Sequence, residues 1–253
     1  MARRKVPPAR RRNFETYVPI NDTPISDADI ATLPESVARY LKRTGVVGKR
    51  PVQTVRLRQR GLFKMSQTGK WATMVAEQRY MVQPPEFVWH ATITPFPLAP
   101  VKVRDGFTDG RGWLEAKLFG LFPVARSRGP ETDQGELLRF MSEIVWFPTA
   151  WLRNYITWES VDERSASATI DYEGLTASAV VSFDEQDRIA AIEAQRYRIV
   201  GNQYSLDTWA ALMTEYKNLQ GFEIPTSAQA MWKLAAGDFV YFRGEISAIE
   251  YDS

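Results

Sequence analysis

The chain has 253 residues, one histidine and no cysteine, with 44% apolar and 12% aromatic side chains. A chain of this length buries roughly three-quarters of the surface it exposes when unfolded, so it needs no staple, and its composition excludes disulfides, thiolate metal sites and cysteine nucleophiles. The net charge of +2 conceals a division: residues 1–12 (MARRKVPPARRR) hold six of the 32 basic residues and no acid, leaving 26 basic against 30 acidic residues, a net −4, elsewhere.

Residues 1–25 are poor in apolar side chains and rich in proline, which predicts a disordered arm ahead of one β-rich domain over 26–253. The arm leads into no apolar stretch, so it reads as neither signal peptide nor membrane span. A helix is expected near 34–44. Pro34 suits its first turn, Gly45 its stop, and Ile30, Leu33, Val37 and Leu41 form an apolar stripe.

From Pro51 the period becomes two. Val55 and Leu57 alternate with arginines, a turn is expected at Gln67-Thr68-Gly69-Lys70, and a second strand at 71–82. Pro84-Pro85 breaks the chain before Phe87, Trp89, Ala91 and Ile93 form a third strand face. Strands at 101–107 and 113–122 flank Asp109-Gly110, a strong hairpin signal.

A long apolar helix is predicted over 133–147, with Leu137, Phe140, Met141, Ile144 and Val145 at helical spacing. Asp133 and Glu136 read as its capping box, and Pro148 as its end. Further strands are expected at 165–172, 175–183, 189–200, 222–234 and 239–251, whereas 205–216 fits either an edge strand or a short helix.

The pattern has no βαβ alternation, so the expected class is mainly β, α+β in kind. The expected architecture is a curved antiparallel sheet or half-barrel of about 10–11 strands wrapped around the helices near 133–147 and 34–44, with a closed barrel as the alternative.

Chemistry-bearing motifs are few. His90 lies mid-strand with no nucleophile elbow, and no phosphate-binding loop or EF-hand is present, so no metal, cofactor or catalytic residue is assigned. The densest polar run is Arg126-Ser127-Arg128-Gly129-Pro130-Glu131-Thr132-Asp133-Gln134-Gly135-Glu136, where charges converge on a helix N-terminus. The eight tryptophans are either core or the lining of an apolar pocket.

The segments LPESVARYLKRTG (33–45), RGPETDQGELLRF (128–140), VWFPTAWL (145–152) and GDFVYFRGEISAIEYD (237–252) resemble those of an uncharacterised bacterial domain-of-unknown-function family. The order of strands and helices is also similar to the lipoprotein-carrier class (LolA/LolB-like), in which helices cover the cavity of an incomplete barrel. That resemblance implies a fold but does not fix a function.

Three functions remain in play. The favoured one is non-catalytic binding of an apolar small molecule or acyl chain at Trp89, His90, Trp113, Arg126, Arg128, Glu131, Asp133, Gln134, Met141 and Trp146. The alternatives are an enzyme using Glu131, Asp133 and Glu136 with Arg126 or Arg128 and aided by His90, and an interaction protein docking its basic arm on a partner or anionic surface. Nucleic acid is not an expected partner. The absence of cysteine favours a cytoplasmic setting.

Overall fold

Thirteen strands form a single antiparallel sheet in the computed structural model, which describes residues 23–96, 99–201 and 203–252. They are β1 (Thr54–Lys64), β2 (Trp71–Met81), β3 (Glu86–Thr94), β4 (Val101–Thr108), β5 (Arg111–Leu118), β6 (Phe122–Arg128), β7 (Ile156–Asp162), β8 (Ser165–Tyr172), β9 (Leu175–Phe183), β10 (Ile189–Val200), β11 (Gln203–Leu219), β12 (Phe222–Lys233) and β13 (Phe239–Asp252). The helices are α1 (Asp27–Ile30), α2 (Glu35–Thr44) and α3 (Pro130–Glu143). No helix among the described residues is long and apolar enough to cross a membrane.

The strand order is β6-β5-β4-β3-β2-β1-β13-β12-β11-β10-β9-β8-β7. Each strand pairs with its sequence neighbour, except at the centre, where β1 pairs with β13 (Val55 opposite Tyr251), and at the unpaired edges β6 and β7. Twist accumulated over so many strands rolls the sheet. Edge β6 comes near the far half, where the Ser127 hydroxyl lies 3.1 Å from that of Tyr204 in β11. The roll stops short of strand pairing, so the structure is an open half-barrel rather than a closed barrel.

The expected turns hold. Asp109 and Gly110 have φ of 52° and 68°, and Glu173 and Gly174 have 49° and 79°, the positive values that tight hairpins require. Residues 205–216 belong to the long strand β11. The expected strand over 113–122 is instead two strands, β5 and β6, split by a turn at Phe119 and Gly120.

Helix α3 begins earlier than the capping-box reading placed it. Pro130 stands at the first helical position, where its fixed φ and missing N–H cost nothing. Asp133 is therefore inside the helix, with its amide bonded to the Gly129 carbonyl. The regular helix ends at Glu143, and a 3₁₀ turn over Ile144–Trp146 carries the chain to Phe147, which leaves the helical region at φ −140° and ψ 70° before Pro148. Likewise, Pro34 precedes α2 rather than entering it.

Leu137, Leu138, Phe140 and Met141 are all fully buried, so α3 runs through the interior with most of its circumference covered. It packs on β4, β5 and β6 from one half of the sheet and on β8, β9 and β10 from the other. Tyr80 anchors the adjoining aromatic cluster, with ring centroids 4.8 Å from Phe147 and 6.4 Å from Phe140.

The seat of α3 on β5 depends on Gly112, since a Cβ there would meet the Thr132 carbonyl oxygen at 2.4 Å. Its amide also donates to Asp133 Oδ1 at 2.8 Å. Gly112→Ala is expected to lower stability by about 1–3 kcal/mol, the usual cost of forcing atoms into a packed contact. A urea-unfolding midpoint equal to that of the unmodified protein would refute this contact.

Of the arm expected over 1–25, residues 1–22 lie outside the described residues. Ile25 is buried, and its backbone bonds Lys49 and Gly48.

Candidate functional site

The concave side of the sheet is not filled. A cavity of about 750 Å³ lies between α3 and strands from both halves. It exists because inward positions of β11 and β12 carry small residues. Ala211 faces Ala230 across the strand pair, flanked by the large pair Trp209 and Trp232. Trp89, Trp146 and Tyr241 complete much of the apolar wall. The Trp209 indole donates to the Tyr241 hydroxyl at 2.9 Å, and the Trp89 indole to Gln59 at 2.9 Å, so the polar edges of these rings are satisfied.

One end of the cavity is charged. Arg139 of α3 donates through Nη1 to Asp105 of β4 at 2.5 Å and through Nε to Glu143 at 3.0 Å. Its guanidinium stacks on Phe87 and Trp89, 5.0 and 4.9 Å from their ring centres. Glu143 also accepts from Gln78 at 2.7 Å and from the Tyr80 hydroxyl at 2.9 Å. Arg196 of β10 lies over Trp209 and donates to Glu136 Oε1 at 3.4 Å. Glu136 Oε2 and Asp105 Oδ1 are buried without a hydrogen-bond partner.

Burial, reinforced by the charge of Asp105, raises the Glu136 carboxyl to about 8, against the pull of Arg196 and Arg139. Burial likewise raises Asp105, opposed by Arg139. The folded value for Glu136 exceeds the ordinary 4.5, so the native state holds this proton more tightly than the unfolded chain does. Its contribution is fully present below the ordinary value and is lost as pH climbs through the folded one. Urea-unfolding stability is therefore expected to fall between about pH 5 and pH 8, and Glu136→Gln to flatten the fall. Equal slopes in the two proteins would remove Glu136 from this role.

Of the residues singled out in the sequence, Trp89, Arg126, Glu131, Glu136 and Trp146 line the cavity. The others lie outside it. His90 and Trp113 alternate out of phase with the inward positions of β3 and β5, and so face away. His90 accepts from Arg104 at 3.3 Å, and burial followed by the Arg104 charge pushes its imidazole pKa down. Trp113 covers the Arg104 guanidinium. Arg128 is exposed on edge β6, 3.6 Å from Glu115. The Asp133 carboxylate is occupied by the Gly112 amide and Arg111, Gln134 lies on another side of α3, and Met141 packs in the core.

Sequence reasoning missed Asp105, Arg139, Glu143 and Arg196, although a signal was there. Val101, Val103, Asp105 and Phe107 share one strand face, so Asp105 puts a charge in an otherwise apolar phase. Arg196 does the same after Ile192 and Ala194.

The sequence pattern of a family of unknown function (DUF6544) matches residues 23–244. Three of the segments that carried the family resemblance, 33–45, 128–140 and 145–152, fall wholly inside that match. No curated protein matches. Among solved structures, one similar chain is described as an outer membrane lipoprotein-sorting protein domain from Vibrio parahaemolyticus. It has 10% identity and a TM-score of 0.46, with 79% of this chain and 86% of that one covered. Another is a LolA superfamily protein from Nitrosomonas europaea, with 10% identity, a TM-score of 0.39, and 85% and 92% covered.

Proposed function

The chain belongs to the DUF6544 family, and for it we propose non-catalytic binding of a molecule with an apolar body in the concave cavity. The observation that supports this most directly is the unfilled volume of about 750 Å³ walled by Trp89, Trp146, Trp209 and Trp232. Cavities of this size with a few convergent polar groups are the usual form of small-molecule sites. A void this large is otherwise costly, because its lining forgoes dispersion contacts.

The test is native mass spectrometry of the purified protein, followed by organic extraction, together with fluorescence titration of a hydrophobic probe. We expect one equivalent of a co-purifying apolar molecule, or saturable binding of one probe per chain that quenches tryptophan emission. A clean mass together with no saturable probe binding would defeat the reading.

A second reading, acid–base catalysis, is favoured by one observation: a raised-pKa carboxyl, Glu136, beside the cavity. The residues gathered there differ from the trio Glu131, Asp133 and Glu136, since Asp133 is held by Gly112 and Arg111. Chemical change in an added ligand during binding would select this reading over simple carriage.

A further inference from the structure

We propose that the charged end of the cavity binds the ammonium group of an amphiphilic amine whose apolar part lies among the tryptophans, an assignment that rests on the ligand-binding reading above. Three carboxylates, Asp105, Glu136 and Glu143, meet only two guanidiniums, Arg139 and Arg196. With all three ionised the cluster is one positive charge short, and without a ligand the proton held by Glu136 stands in for that charge. Asp105 and Glu136 are only 5% and 6% exposed, both line the cavity, and both converge on Arg139 Nη1, at 2.5 and 3.8 Å.

Each of these two residues keeps one oxygen with no hydrogen-bond donor, Asp105 Oδ1 and Glu136 Oε2. Buried carboxylates demand a counter-charge or a proton. An ammonium supplies the missing charge and three N–H donors for the open oxygens. Arg196 reaches Glu136 through a single long contact of 3.4 Å, so a small shift of that side chain admits the ligand.

The walls suit a cation as well. Arg139 already rides on Trp89 and Arg196 on Trp209, and aromatic faces attract organic cations generally. The other arginines at the cavity are already engaged by acids outside the cluster, Arg198 by Asp207 at 2.8 Å and Arg126 by Glu115 at 3.8 Å, the latter shared with Arg128. A carboxylate ligand would add a further negative charge where acids already outnumber guanidiniums. An alcohol would bring a donor but no charge.

The full-length protein is titrated at neutral pH with nonylamine, nonan-1-ol and nonanoate below their aggregation limits, followed by tryptophan fluorescence and calorimetry. We expect the amine to bind at least about tenfold more tightly than nonanoate, with the alcohol between them, a preference corresponding to one missing charge contact. Glu136→Gln and, as an independent variant, Asp105→Asn should each shrink the preference to within about threefold. Nonanoate binding as well as the amine overturns the ammonium assignment and leaves the apolar cavity standing. A preference untouched by both substitutions overturns the location. Failure of all three probes to bind defeats the ligand-binding reading itself, and this inference with it.

Discussion

Replacing Arg139 with leucine is expected to destabilise the protein by about 3–5 kcal/mol, because removing one partner of a buried ionic group strands the other. Among the described residues, Arg139 is the only side chain that touches Asp105, Glu136 and Glu143 together, and its own side chain is 16% exposed. Leucine would fill much of the space between Phe87 and Trp89 yet offer no donor. The carboxylates would then lose the only cation that links them. Urea unfolding at neutral pH measures the loss, and a value under about 1 kcal/mol would show the cluster to be solvated rather than buried. Adding Asp105→Asn to Arg139→Leu should recover part of the loss, since it removes one of the stranded charges.

The second large effect concerns the cavity. Ala230→Trp places a large ring opposite Ala211, where the sheet now carries two small side chains facing each other. Ligand affinity is expected to fall about a hundredfold, equivalent to roughly 2.7 kcal/mol. Stability should change by less than about 1.5 kcal/mol, because the ring enters open space rather than a packed core. Unchanged probe affinity in a folded Ala230→Trp variant would place the ligand elsewhere. A large loss of stability would mean that the space is not available to a side chain, and so not to a ligand.

The strand pattern could be read wherever one face is buried. β3 and β9 show burial on alternate residues along most of their length, and their limits agree with expectation within a residue or two. The strands that escaped notice, the edges β6 and β7, are mostly exposed, and β6 contains Pro123, which an edge tolerates because no neighbour needs its amide. Without a buried face there is no period to find. The start of α3 was misplaced for a different reason: Asp133 looks like a cap in sequence but serves the Gly112 amide in space.

The candidate site was legible only in part. Trp89 and Trp146 could be found because aromatic residues are conspicuous. Asp105 and Arg196 come from strands 91 positions apart in the chain, and nothing local links them. Their shared property, a charge occupying an apolar phase, becomes informative only when it is sought in several strands at once. The small residues Ala211, Ala228 and Ala230 carry the cavity just as quietly, since alanine in a strand is unremarkable until its neighbours are known to be large.

The strand order bears on how the molecule is made. The six strands from β1 to β6 arise from one continuous stretch of chain and the seven from β7 to β13 from another, while the seam between the two groups pairs Thr54 with Asp252. During synthesis at the ribosome, β1 is complete long before its partner exists, so one of its flanks stays open until residue 252 has emerged. Closing a loop of nearly 200 residues is entropically slow, and until it closes the nascent chain presents an unpaired strand to every other chain nearby. Of the strands in this sheet, the last to be translated is thus the one that seals its middle.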